Sequence, residues 1–255
     1  MMYGLYLSAQ GADAAAFHQS VLANNLANAR TTGFKRDLPV FRADAAFEAA
    51  RQLPPAGPET FDHQTGGISV DGTVTDFTQG PLMTTNGQFD IAVVGRGFLE
   101  VNRNGQRFLT RNGKLSLNDQ QQLVMADMNL PVLDISGQPI EVPTTMTKLE
   151  ISADGMINSI DAGNARTDLG QLALVEPQFY EQLIKEGDSL YTNLGKAQPA
   201  SAARLRQGML EEAEVDPVTG MVDVIQSSRG FEMNMNMIRT QDEMMAGLLQ
   251  SVGKR

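Results

Sequence analysis

Residues 216–252 read DPVTGMVDVIQSSRGFEMNMNMIRTQDEMMAGLLQSV. Asp216 is a good helix N-cap, and Pro217 suits the first helical turn, where its missing amide hydrogen is not needed. No proline follows up to Val252, so the stretch predicts a single helix of about 36 residues, roughly 54 Å at 1.5 Å per residue. Val224, Phe231, Ile238, Met245 and Val252 recur at an interval of seven, with Met221, Met235 and Leu249 on the adjoining row. So narrow an apolar stripe is the seam of a coiled-coil-like helix rather than the broad face of a helix lying on a thick core. Ser228 and Asp242 make the adjoining row partly polar, which asks for more than one partner helix.

The opposite end of the chain supplies a second helix. Gly4 to Ala29 contains no proline and is dense in alanine, which favours helix over about 26 residues. Leu5, Ala12, Gln19 and Leu26 share a seven-residue row, with Ser8, Ala15 and Leu22 between them. These residues are mostly small and suit close helix contact. Helix propensity falls from Asn28 to Thr32, and Gly33 can take the positive φ that ends a helix. Packing the terminal seams together joins the two chain ends. The C-terminal stripe, longer by about 10 residues, keeps part of its length for neighbouring molecules.

Residues 37–67 read as a linker, because Pro54-Pro55 and Pro58 break regular structure, with a short amphipathic helix expected from Phe41 to Arg51. Residues 68–212 change to short apolar runs separated by Asp71-Gly72, Asn86-Gly87, Asn104-Gly105, Asn112-Gly113, Ser136-Gly137 and Asp154-Gly155, the dipeptides of tight turns. A mainly antiparallel β body follows. Its best hairpin joins residues 97–101 to 106–110 across Arg103-Asn104-Gly105, with Phe98, Val101 and Phe108 on one face only if a bulge adjusts the register. The expected fold is therefore α+β: an N-terminal assembly helix in 1–36, a linker in 37–67, a β-rich central domain in 68–212, and a C-terminal assembly helix in 213–255. The long terminal helices pair as a coiled-coil-like bundle.

The formal net charge is −10, and the only basic clusters are the pairs Lys35-Arg36 and Lys254-Arg255. Phosphate backbones and anionic membranes both require a basic surface, so neither is an expected partner. Cysteine is absent, which removes disulfides and thiolate metal sites. No apolar run reaches the roughly 20 residues that span a bilayer. The first residues lack the basic segment of a secretory signal, so no membrane insertion and no cleaved signal are expected. His18 and His63 are the two histidines and form no zinc motif. Gly95-Arg96-Gly97 begins like a dinucleotide fingerprint, but Glu100 stands in place of its third glycine. Asp154 and Asp161 flank a hairpin and are explained as turn residues more simply than as a glycosidase pair. No catalytic, cofactor or metal site is predicted. The 14 methionines, dense between Met221 and Met245, suit adaptable packing in an assembly.

Asn24-Asn25-Leu26-Ala27-Asn28, followed by Thr31-Thr32-Gly33-Phe34-Lys35-Arg36, resembles the N-terminal signature of flagellar axial proteins, the family of rod and hook subunits. It departs at Arg30, where a small polar residue is usual. Asp90-Ile91-Ala92-Val93 with Gly95, Gly97, Phe98 and Val101, then Thr110-Arg111-Asn112-Gly113 and Leu123-Val124, is similar to the central region of those subunits. Leu99 there replaces a usual Phe, and Gln121 and Met128 stand where turn glycines are usual. Leu210-Glu211, Val215-Asp216, Ile225, Arg229, Phe231-Glu232, Ile238, Thr240 and Asp242 resemble the family's C-terminus, with Ala213-Glu214 replacing Ser-Asn and Gly230 replacing Ala.

The resemblance implies a non-enzymatic structural subunit of the bacterial flagellar basal-body rod. It would be exported through the flagellar type III apparatus without a cleaved signal and polymerised through its terminal helices into a rod that crosses the periplasm and transmits torque from motor to hook. Implied partners are itself, other rod and hook subunits and the export apparatus, with no cofactor. The length and the absence of a large inserted domain look more like a rod than a hook subunit. The whole chain is similar to proximal and distal rod forms, and the short linker leans to the proximal. The expected assembly residues are Leu5, Ala12, Leu22, Asn25, Leu26, Asn28, Gly33 and Phe34 at one end, and Val224, Phe231, Ile238, Met245 and Leu249 at the other. The alternatives are a hook-type axial subunit, an adhesin-like module whose β domain binds a carbohydrate or protein, and a peptidoglycan enzyme, which lacks its catalytic constellation.

Overall fold

Helix α1 spans Met2–Ala27, and the strands β1 (Asp37–Asp44) and β2 (Gly67–Thr75) form an antiparallel pair. A second helix, α2, spans Pro217–Val252. The computed structural model describes residues 2–44 and 66–252. The chain divides into two compact units. A helical unit holds Met1–Ala27, Arg36–Asp76 and Val215–Arg255, and a β unit holds Asn28–Lys35 and Phe77–Glu214.

In the helical unit α2 starts where its cap predicts. The Asp216 carboxylate accepts the Val218 amide at 3.0 Å and the Thr219 hydroxyl at 2.8 Å. The two helices run antiparallel: Gly4 lies against Gln241, Gly11 against Asn234, and Leu26 against Gly220, while the Ser227 hydroxyl donates to the Ala15 carbonyl at 3.1 Å. Small residues on α1 make room for polar ones on α2. A Cβ added at Gly11 would stand 2.9 Å from Asn234 Oδ1, closer than side chains tolerate.

Strand β1 corrects the expectation of an irregular linker. Phe41–Asp44 pair with Gly67–Val70 instead of starting a short helix, because the extended, alternating Leu38-Pro39-Val40-Phe41 finds a β-branched partner in Ile68, Val70 and Val74. The remainder of that expected helix, together with Pro54, Pro55, Pro58 and His63, falls outside the described residues. Asp71-Gly72 is not a turn either. It lies inside β2 beside the bulge between Val40 and Phe41, with Gly72 at φ +130°. Phe17 and His18 of α1 meet the Phe41 ring edge-on, with centroids 6.4 and 6.3 Å away.

The β unit is antiparallel in all its named pairings. Its six-stranded sheet runs in the order Leu183–Gly187, Leu190–Asn193, Gln106–Thr110, Phe98–Arg103, Leu174–Pro177, Ala197–Pro199. A three-stranded sheet orders Arg166–Gln171, Met156–Asp161 and Met146–Ile151. Ile91, Val101, Leu123, Leu149, Ile157 and Leu190 are among the buried residues of the main core. The expected hairpin forms with a two-residue turn, Asn104 at φ 55° and Gly105 at φ 84°, and with Val101 directly opposite Phe108. No bulge interrupts it. Ordinary alternation sends Phe98 to the other face, where it joins Leu109, Tyr191 and Phe77 in an aromatic cluster.

Candidate assembly interface

The three sequence blocks that carry the family resemblance meet inside the β unit. Gly33 takes φ +67° and donates its amide to the Glu211 carbonyl at 2.8 Å. A Cβ there would land on the Arg111 carbonyl carbon, so glycine is required by both conformation and space. The turn delivers Phe34 and Lys35 into the body, 4% and 2% exposed. Lys35 Nζ donates to the Glu211 carboxylate and to the Thr78 carbonyl, the latter at 2.7 Å. Glu211 also accepts the Gly80 amide at 3.0 Å and faces Arg111 Nη1 at 3.4 Å. Arg111 in turn donates to the Gly95 carbonyl at 2.7 Å and lies over the Phe98 ring. Burial pulls the Lys35 ammonium below its ordinary value of 10.5, and the Glu211 carboxylate opposes that fall. Lys185 Nζ sits 4.0 Å from the Phe34 ring centroid and donates to the Lys35 carbonyl. This cluster locks the segment after α1 in place, its charges facing one another and backbone carbonyls inside the β unit.

Of the residues expected at the assembly surface, Asn25, Asn28, Gly33 and Phe34 make contacts within the chain. Asn25 is buried and pairs with the backbone of Asp37, donating to its carbonyl at 2.7 Å and accepting its amide at 2.9 Å. That side chain starts β1 as a neighbouring strand would. Asn28 accepts from the Thr31 hydroxyl at 3.2 Å in the turn after α1. Ala12 is buried, and Leu5, Leu22 and Leu26 are half-buried. Val224, Phe231, Ile238 and Met245 are half-buried too, alternating along α2 with Gly220, Ser227, Asn234 and Gln241, which face α1. Leu249 is 74% exposed.

A second row on α2 escaped the sequence reading. Val222, Met233, Met237, Met244 and Leu248 are all exposed and lie within about 80° of arc on an ideal helix. Gln226, Gly230 and Thr240 fall in the same arc, so the strip carries no charge over its length. Its spacings of 11, 4, 7 and 4 residues were legible. The stronger five-residue row drew the reading away from it.

Asp161, considered as one of a carboxylate pair, accepts the Ala165 amide at 2.9 Å in its turn, and Asp154 faces Arg204 at 3.6 Å. Among the described residues no group of three or more histidines and carboxylates is placed to hold a metal ion, and no helix is long and apolar enough to cross a membrane.

Comparison with known proteins covers the same three regions. The family model described as "Flagella basal body rod protein" matches residues 5–35, that of the "Flagellar hook protein FlgE/F/G D1 domain" matches 92–159, and that of the "Flagellar basal body rod FlgEFG protein C-terminal" matches 206–251. The flagellar basal-body rod protein FlgF of Caulobacter vibrioides is 33% identical over 236 residues, covering 92% of this chain and 91% of the relative. FlgF of Salmonella typhimurium is 32% identical, with 95% of each chain covered. The rod protein FlgG of Buchnera aphidicola from Acyrthosiphon pisum is 30% identical, covering 98% of this chain and all of its own. Matched at both ends and in the middle by models of this kind, and along nearly its whole length by rod proteins, the chain belongs to the flagellar basal-body rod protein family, whose members are structural and not enzymes.

Proposed function

We propose that this rod subunit polymerises through α1 and α2, which act as a coiled-coil-like pair against the helices of neighbouring subunits, and that the polymer carries torque between motor and hook. The observation that carries the reading is the uncharged strip on α2, Val222 to Leu248, set beside the seam that faces α1. A helix with two such faces can hold one partner within its own chain and another outside it. Leu249, in the last turns of α2, is 74% exposed and offers apolar surface to a neighbour.

The functional division follows the two units: the helices of the helical unit assemble, and the β unit, Asn28–Lys35 and Phe77–Glu214, sets spacing and stiffness. The partners are further copies, other rod and hook subunits and the flagellar export apparatus. No cofactor takes part. The test is incorporation into basal bodies isolated from cells whose only copy is a variant. Met237→Asp places a charge on the strip and abolishes incorporation while the β unit stays folded. Normal incorporation of that variant would remove the strip from the interface.

A further inference from the structure

We propose that Met233, Met237 and Met244 form an oxidation-sensitive site through which peroxide shuts a subunit out of assembly. The proposal rests on the reading above, in which their strip meets neighbouring subunits.

The methionines of α2 are sorted by position. Met233, Met237 and Met244 are 65%, 58% and 50% exposed, and all three lie on the uncharged strip. Met235 and Met245 are half-buried. Met221 is exposed but lies about 100° round the helix from Val222, off the strip. In the β core Met125 is 0% exposed. Thioether oxidation follows accessibility, so the strip methionines react first and Met125 last.

The chemistry needs only hydrogen peroxide. The sulfur lone pair attacks one peroxide oxygen, an S–O bond forms and the O–O bond breaks. The sulfur gives up two electrons, and the remaining oxygen leaves as water after proton transfer. The product is a sulfoxide, polar where the thioether was apolar, and methionine sulfoxide reductases reverse it. Met233 to Met244 span about 17 Å of helix. Three sulfoxides over that length put strong hydrogen-bond acceptors where a neighbouring helix offers packing atoms, and an apolar interface leaves them without donors. Valine or leucine at these sites would pack as well and could not respond. Once a subunit is built in, its neighbours cover the strip and protect it.

Two measurements test this. The purified full chain is treated with hydrogen peroxide, and its peptides are weighed over time. Oxygen gain at Met233, Met237 and Met244 ahead of Met125 is expected, and equal or reversed order overturns the proposal. In cells carrying a single copy, the triple variant Met233→Leu/Met237→Leu/Met244→Leu incorporates normally. The variant Met233→Gln/Met237→Gln/Met244→Gln, whose amides mimic sulfoxides, falls in incorporation by about tenfold or more. Circular dichroism of that variant establishes that α2 still forms. Val222→Asp separates the two readings, since it charges the strip without touching sulfur. If Val222→Asp blocks incorporation and the Gln variant does not, the oxidation site is refuted and the strip interface stands. If both incorporate normally, the interface reading fails as well.

Discussion

Lys35 shows how a family signature becomes a physical requirement. Its ammonium is buried and held by Glu211, which also meets Arg111 and the Gly80 amide. Removing one member leaves the others charged in a medium that solvates them poorly. Glu211→Gln is therefore expected to destabilise the β unit by about 3 kcal/mol, measured by denaturant unfolding. Pairing Lys35→Met with Glu211→Leu should recover part of that loss, because the lone ammonium is gone, while Arg111 keeps only its carbonyl partners Val93 and Gly95. Gln121 makes the opposite case. It sits at φ 60°, a conformation that strains a side chain, and its carbonyl accepts the Val142 amide at 2.8 Å. Gln121→Gly should raise stability by about 1 kcal/mol, since relief of the left-handed strain exceeds the entropy glycine loses. Had the strain been relieved elsewhere, the midpoint would not move. The need for glycine at 33 was legible from local sequence, whereas Lys35 and Glu211 lie 176 residues apart and no periodicity connects them.

At the scale of elements, α2 was the most readable part of the chain. Asp216-Pro217 gives its first turn, the absence of proline its length, and a seven-step row its packed side. Strand β1 was not legible, because its partner begins at Gly67 and only pairing turns an ambiguous apolar run into a strand. The hairpin at Asn104-Gly105 forms as expected with a two-residue turn, and without a bulge Phe98 does not share the face of Val101 and Phe108. The α2 cap carries a pH signature. The Thr219 hydroxyl first, and then the Val218 amide, hold the Asp216 carboxyl below its ordinary value of 3.8. A depressed folded pKa means that the cap's contribution is fully present above the unfolded value and lost as pH falls through the folded one. Acid titration followed by circular dichroism should show α2 weakening below about pH 4. Asp216→Asn should remove that step, and an identical acid limb in the variant would exclude the cap as its source.

For the molecule as a whole, the chain passes between its helical and β units at 27–28, 35–36, 76–77 and 214–215. The signature segments lie at or near these crossings: Asn25 clamps β1 in one unit, and Gly33 to Lys35 are locked into the other. Sequence alone gave the class, α+β with a mainly antiparallel body, and the family. It singled out the row of Val224, Phe231, Ile238 and Met245, and a helix read by itself cannot say which of two apolar faces its own chain will cover.

Because the chain contains no cysteine, a single Met237→Cys thiol reports on one point of the strip. Its maleimide labelling is compared between the purified subunit and isolated rods. Rapid labelling in the subunit and protection in the rod is the predicted result. Equal labelling in both, with rods intact, would contradict assembly through this face of α2.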